Sequence, residues 1–435
     1  MQPSTSLDVL IVGAGVGGLT LALCLQRAGI RARVFEASPE IRPLGVGINI
    51  LPHATQVLGE HGLVPSLQEV AVETAEAAFF NRFGQLIHRE PLGRWAGYEA
   101  PQYSIHRGDL QRVLLDAWLE RAGADALATG WRCTGFEHDE HGVRAAFDDP
   151  RTGAPRETQR ADVLVACDGL HSAIRKQLHP DEGPPRYSGV NMWRGVTRWS
   201  PILGGATMVR AGWLTHGKMV IYPIRNDIDG TGMQLVNWVA EIETPTYRQR
   251  DWNRPGDLAD FIGAFGDWHF GWLDVPAMIR SADAVLEFPM VDQDPLPWWT
   301  QGRVTLLGDA AHPMVPRGSN GAGQAILDAR CLADLLAGDA SPEAALQAYE
   351  AQRLAATTQV VLTNRSNPPD AIIRVVHERT GDRPFERIED VISAEEIARM
   401  SETYKRVDGY DHASLGSAGA PGSTETVSTN DRRPR

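Results

Sequence analysis

Three acids in this chain end apolar runs, Glu36 in "ARVFE", Asp168 in "DVLVACDG" and Asp309 in "RVTLLGD", the last two beside a glycine. Upstream of the first lies Gly13-Ala14-Gly15-Val16-Gly17-Gly18, a G-x-G-x-x-G motif. Acids and glycines at these places form neither a nucleophile nor a metal cage. They can hold a dinucleotide. Gly13 permits a tight turn, Gly15 and Val16 open a helix whose N–H groups can face a pyrophosphate, and Gly18 lets helix and strand pack closely. Glu36 can accept from both ribose hydroxyls of an adenosine, and its charge disfavours a 2′-phosphate there.

Asp309 carries the other half of the reading. An acid at a strand end, where open α/β sheets bind ligands, can accept from a polyol hydroxyl. Beyond it, "AAHPMVPRGSNGAGQAILDA" sets Gly321 and Ala322 at a helix N-terminus, whose free N–H groups suit an electron-rich ring edge. FAD or NAD both fit the first motif. Ribityl and isoalloxazine fit the second region, and nicotinamide riboside has no polyol to meet Asp309. The chain shows one glycine motif, so no second dinucleotide domain is expected.

The elements that must position these residues are legible. "LDVLIVGAGVGGLTLALCLQRAGIRARVFE" reads as strand, glycine turn, helix and strand. "HRGDLQRVLLDAWLERAG" is a helix closed by Gly123. Residues from about 180 to 295 are rich in β-branched and aromatic residues ("VNMWRGVTRW", "HGKMVIYPI", "MQLVNWVAEI"), which predicts antiparallel strands. The fold expected is α/β: a Rossmann-like FAD-binding domain, an interleaved antiparallel β-sheet substrate domain, and C-terminal helices. The boundaries expected are 1–180 (FAD-binding, with some substrate-side strands), 181–295 (substrate sheet), 296–363 (FAD-binding, flavin side) and 364–412 (C-terminal helices). Residues 413–435, small and polar, are expected to form no structure.

Bulk properties narrow the partners. The 435 residues carry a net charge of -13, which argues against nucleic acid and anionic membrane surfaces. The four cysteines form no C-x-x-C pair, so neither a disulfide framework nor a metal site is expected. No signal peptide or membrane span is visible, and a cytoplasmic monomer or homodimer is the expectation.

Taken together, GAGVGG with Glu36, Asp168-Gly169, and Gly308-Asp309 with the glycine-rich stretch beyond resemble the single-component FAD-dependent aromatic hydroxylases of the para-hydroxybenzoate and salicylate hydroxylase type. "EIRPLGVGINI", "PQYSIHRGDLQ", "MWRGVT" and "GRVTLLGDAAH" are similar to the phenazine hydroxylases of pyocyanin biosynthesis. The resemblance covers residues 7 to about 360 and is expected to stop near 364. It implies a monooxygenase that uses NADH or NADPH and O2 to hydroxylate an aromatic or N-heteroaromatic molecule, of phenazine-carboxylate or hydroxybenzoate type, through a flavin C4a-hydroperoxide. A flavin reductase or oxidase without oxygen insertion is the alternative.

The resemblance also implies site residues. Gly13, Gly15, Val16, Gly18 and Glu36 would hold the adenosine half of FAD, and Gly47 belongs to the same cofactor set. Arg107, opening the "RGDL" helix, would approach the phosphates. Asp309 would meet the ribityl chain, Gly321 and Ala322 the flavin ring, and Asp168 both FAD and the passing nicotinamide. Pro313 falls near the oxygen-reacting face. His53, Tyr222, His312 and Arg194 are the candidates for a general base, with His312 expected to be structural. Trp193 is a candidate for either pocket or core.

Overall fold

The computed structural model describes residues 7–42, 45–139, 142–244 and 254–417. The first unit forms as its pattern predicts: strand Asp8–Val12, helix Val16–Arg27, strand Arg31–Glu36. It belongs to a six-stranded sheet in the spatial order Thr300–Gln301, Val304–Leu306, Val163–Ala166, Asp8–Val12, Arg31–Glu36, Leu127–Thr129. Neighbours pair in parallel except at the Thr300–Gln301 edge. Val163, Leu164, Val165 and Ala166 are fully buried, as parallel strands covered on both faces must be. Parallel pairing has one consequence for function. The four central strands all end on the same side of the sheet, so Gly13, Glu36, Asp168 and Asp309 share one edge.

An eight-stranded sheet makes the second layer. Its order is Arg254–Pro255, Val285–Asp292, Arg186–Trp199, Met233–Glu243, Gly217–Ile228, Thr207–Trp213, Glu76–Phe80, Leu86–Pro91. It thus takes two strands from the first 180 residues. Alternation gives each face its own neighbours. Trp193, Trp238 and Trp268 pack with Phe261 and Phe265 on one face. Met192, Tyr222 and Val239 on the other pack with Val315, from the loop beyond Asp309. Trp193 stacks on Phe261 with ring centroids 5.0 Å apart, so it is a core residue.

Helices Pro342–Ser366, Ala371–Thr380 and Ala394–Asp408 follow. The apolar faces of the last two bury Ile372, Ile373, Val376 and Ile397 against Ala77, Phe79 and Ile87 of the large sheet's edge. Residues His412–Ser417 form a short helix, so ordered structure passes the expected boundary at 413. The remainder of that tail lies outside the described residues. Among the described residues, no helix is long and apolar enough to cross a membrane.

Candidate active site

At the adenosine end, Gly13 has φ +102°, a conformation that favours glycine, and a Cβ there would run into the Cys167 carbonyl. Gly18 is equally constrained, because its Cβ would strike the Gly13 carbonyl. Gly15 differs: a Cβ there would meet nothing within 4 Å. It faces open space, where a pyrophosphate would lie. The helix it caps, Val16–Arg27, has no side-chain cap and no acid in its first turn, so its leading N–H groups are available to an anion. Glu36 Oε2 accepts from Ala14 N at 2.8 Å and Oε1 from Ser38 N at 2.7 Å. Two backbone donors thereby fix the carboxylate and leave lone pairs for hydroxyls. Arg107 is exposed beside Gly45, and its own N–H donates to Val46 O at 3.0 Å.

The flavin-side loop is held by groups the sequence did not single out. Arg175 Nη1 donates to Ala310 O at 2.9 Å and Ala311 O at 2.8 Å. Fully buried Asp328 accepts from Gly308 N (3.2 Å), His312 Nε2 (2.6 Å) and Arg353 Nε (2.7 Å). His312 is thereby tied to the acid that holds the loop. Asp309 itself stays exposed, with Oδ1 3.9 Å from where a Gly321 Cβ would lie. Helix Gly321–Leu336, which Gly321 and Ala322 open, has neither a side-chain cap nor an acid in its first turn. Asp168 Oδ2 accepts from Ala173 N at 3.1 Å, while Oδ1 has no partner and burial pushes the carboxyl up to about 6. Pro313 is buried. An open glycine cradle, two uncapped helix starts, an exposed strand-end acid and an orphaned carboxylate oxygen on one sheet edge fit FAD.

Beneath this helix start, a C-terminal acid joins the site. Asn320 Nδ2 donates to Asp408 Oδ1 at 2.9 Å, and Gln324 Nε2 does the same at 2.9 Å. Asp408 Oδ2 has no partner, and burial pushes the carboxyl from its ordinary 3.8 up to about 7. The folded state therefore binds a proton that the unfolded chain has released between those values. The stability that Asp408 contributes therefore falls as pH rises from about 4 to about 7. At about 1.4 kcal/mol per pH unit, the span costs up to about 4 kcal/mol. Asp408→Asn keeps the acceptor and removes the charge. The variant is expected to melt higher than wild type at pH 8, and to match it near pH 4, in thermal scans of the apoprotein.

On the substrate side, Gly47 is gripped by the large sheet. Its N–H donates to Asn237 Oδ1 at 2.8 Å, and its carbonyl accepts from Tyr222 Oη and Arg194 Nη2, each at 2.8 Å. Burial raises the Tyr222 phenol, so it stays protonated at neutral pH. Burial lowers His53 to about 3, and neither ring nitrogen has a partner. The ring lies 3.5 Å from where a Gly323 Cβ would be and stacks on Tyr410 with centroids 5.7 Å apart. Tyr222 and Arg194 are engaged in holding Gly47. Between the sheet and residues 316–319 lies a cavity of about 40 Å³, lined by Arg194, Arg210, Lys218, Tyr222, Glu241 and Arg317. Lys218 Nζ lies 3.0 Å from Glu241 Oε1, and Lys218 and Arg210 both pair with Asp370. Burial alone would push Asp370 up, but the two cations outweigh it and hold the carboxyl below its ordinary range. His216, His377 and Asp382 also converge. There Arg82 Nε donates to Asp382 Oδ2 at 2.7 Å, which makes the group an ion-pair cluster.

Comparison with known proteins agrees with this geometry. Residues 6–255 and 287–364 match the family model described as an FAD binding domain. The chain is 40% identical over 416 residues, 95% of its length and 100% of the relative's, to a phenazine 1,6-dicarboxylic acid hydroxylase of Lysobacter antibioticus. It is 30% identical to a 6-hydroxynicotinate 3-monooxygenase of Pseudomonas fluorescens, covering 84% of this chain and 92% of that one. A salicylate hydroxylase structure shares the fold with a TM-score of 0.71 at 23% identity, over 96% of this chain and 99% of that one. The 416 matched residues of the first relative exceed what a match ending near 364 can supply, so the similarity continues into the C-terminal helices, contrary to the expectation. With the FAD-binding edge, the family match and these relatives in agreement, the chain belongs to the FAD-dependent aromatic hydroxylases, which act on a small aromatic substrate with O2 and a nicotinamide cofactor.

Proposed function

We propose that the substrate is a planar aromatic or N-heteroaromatic carboxylate, of phenazine or hydroxybenzoate type, bound between the large sheet and residues 316–319. The observation that carries this is charge. Arg194, Arg210, Lys218 and Arg317 gather around the cavity against two acids, Glu241 and Asp370. Excess positive charge in a pocket walled by protein favours an anion. The Lysobacter antibioticus relative is named for a dicarboxylate.

FAD, when bound, would supply the redox chemistry between NADH or NADPH, O2 and the ring. The chain binds, orients and excludes water. Gly13, Gly15, Val16, Gly18 and Glu36 hold the adenosine and pyrophosphate, with Arg107 near the phosphates. Asp309 would accept from the ribityl chain, and the N–H groups at Gly321 and Ala322 would serve the flavin ring. Asp168, beside Gly13 and Glu36, would serve FAD and the passing nicotinamide, and Pro313 would border the oxygen-reacting side. Tyr222 and Arg194 position the Gly47 segment, and His53 is a neutral packing group.

Arg317 tests the reading, because no ion pair of the buried network depends on it. Arg317→Gln should weaken binding of phenazine-1-carboxylate about tenfold, the loss of one charged hydrogen bond. Binding of the neutral carboxamide should not change. Titration of the flavin absorbance reads both. Equal effects on acid and amide would refute the charge argument.

A further inference from the structure

We propose that a second cavity, of about 520 Å³ between the C-terminal helices and the edge of the large sheet, is a vestibule that holds the aromatic carboxylate on its way to the inner pocket. The proposal rests on the substrate reading above and concerns a different part of the molecule. Phe79, Ile372, Met400 and Val407 give the vestibule apolar walls, and Tyr404 and Tyr410 its floor. None of the residues assigned to FAD lines it.

Two observations join the cavities. Pro369 and Ala371 line the vestibule, while Asp370 between them turns inward to Arg210 and Lys218, which line the inner pocket. Tyr404 also lines the vestibule, and its hydroxyl would block a Cβ on Gly318, which sits between the inner-pocket residues Arg317 and Ser319. One layer of residues separates the two spaces.

Size makes that layer matter. The inner pocket, at about 40 Å³, has room for only a few waters, so a fused aromatic ring system must displace part of its wall to enter. The vestibule falls in the range that encloses such molecules. Its charge suits an anion. Glu90 is engaged by Lys405 Nζ at 3.4 Å, and Glu396 by Arg379 Nη2 at 2.7 Å, so Arg399 at the mouth adds a cation to the lining.

The two halves of the partition are unequal. Asp370 is held by buried ion pairs, which are costly to break. Tyr404 is held by neutral hydrogen bonds, at 2.8 Å from Asn320 Nδ2 and 2.8 Å to Asn364 Oδ1. Neutral bonds yield more cheaply. Passage is therefore on the Tyr404 side, beside the loop that carries Asp309 and Pro313.

Stopped-flow mixing of the FAD-loaded protein with phenazine-1-carboxylate, followed by flavin absorbance, tests this. Thr403→Trp and Met400→Trp fill the vestibule without touching the inner pocket, and Thr403 is exposed, so its variant has no core to disturb. Association and dissociation should both slow at least tenfold in each variant, while the equilibrium Kd, the FAD content and the melting temperature stay within error of wild type. Tyr404→Phe, which removes the hydroxyl bonds, should speed both rates. Unchanged rates in Thr403→Trp with normal Kd would overturn the vestibule and leave the substrate reading standing. No flavin perturbation by the probe in wild type would overturn the substrate reading, and the vestibule with it.

Discussion

Ending the chain at residue 364 is expected to abolish stable folding. The cut removes Ile372, Ile373, Val376 and Ile397, which cover Ala77, Phe79 and Ile87 at the sheet edge. It also removes Asp370, leaving fully buried Lys218 and Arg210 with Glu241 as their remaining acid. Removing one partner of a buried ion pair costs about 3–5 kcal/mol. Domains are stable by roughly 5–15 kcal/mol, so the charge loss alone takes a large share before the exposed apolar face is counted. Asp370→Ala in the full chain isolates that share and should lower unfolding stability by about 3–5 kcal/mol in denaturant titrations. A chain ending at 417 should melt with wild type, because the removed residues hold one large apolar side chain, Val427. A soluble, cooperatively melting 364-residue chain would show that the C-terminal helices are accessories.

Asp309→Ala is expected to weaken FAD at least tenfold while leaving the apoprotein's melting temperature unchanged. The carboxylate is exposed and lies at the end of a strand, so the fold does not depend on it. A hydrogen bond to a charged acceptor is worth about 1.5–3 kcal/mol, which converts to roughly ten- to hundredfold in affinity. The loop around it is held independently by Arg175 and Asp328, so the substitution removes a ligand contact and not the loop. Fluorescence titration of the apoprotein with FAD measures the affinity. Wild-type affinity in the variant would make Asp309 a bystander.

The FAD edge was legible in the sequence because its signals are local. Each acid closes an apolar run, and parallel pairing carries all of them to one side. The large sheet's existence was legible for the same reason, since Trp, Val and Ile alternate over short stretches. Its pocket was not. Lys218 in "HGKMVIYPI" reads as a solvent-facing strand residue, and only the pairing of Lys218 with Glu241 across the sheet shows that both are buried. Asp328 gave one faint signal, an acid on the buried face of an apolar helix. Asp408 gave none, because its partners Asn320 and Gln324 lie more than eighty residues away in sequence. Its burial is set by tertiary packing. The end of the family resemblance was misplaced near 364, since the 416 matched residues run into the C-terminal helices.

Isotope labelling tests the central claim most directly. The FAD-loaded protein is given NADH, phenazine-1-carboxylate and ¹⁸O₂, and the product is read by mass spectrometry beside the NADH consumed. The account predicts a hydroxylated ring carrying one labelled oxygen for each NADH oxidised. NADH oxidation that yields only hydrogen peroxide, or a product without label, across the aromatic carboxylates tried would contradict it and make the protein a flavin reductase or oxidase.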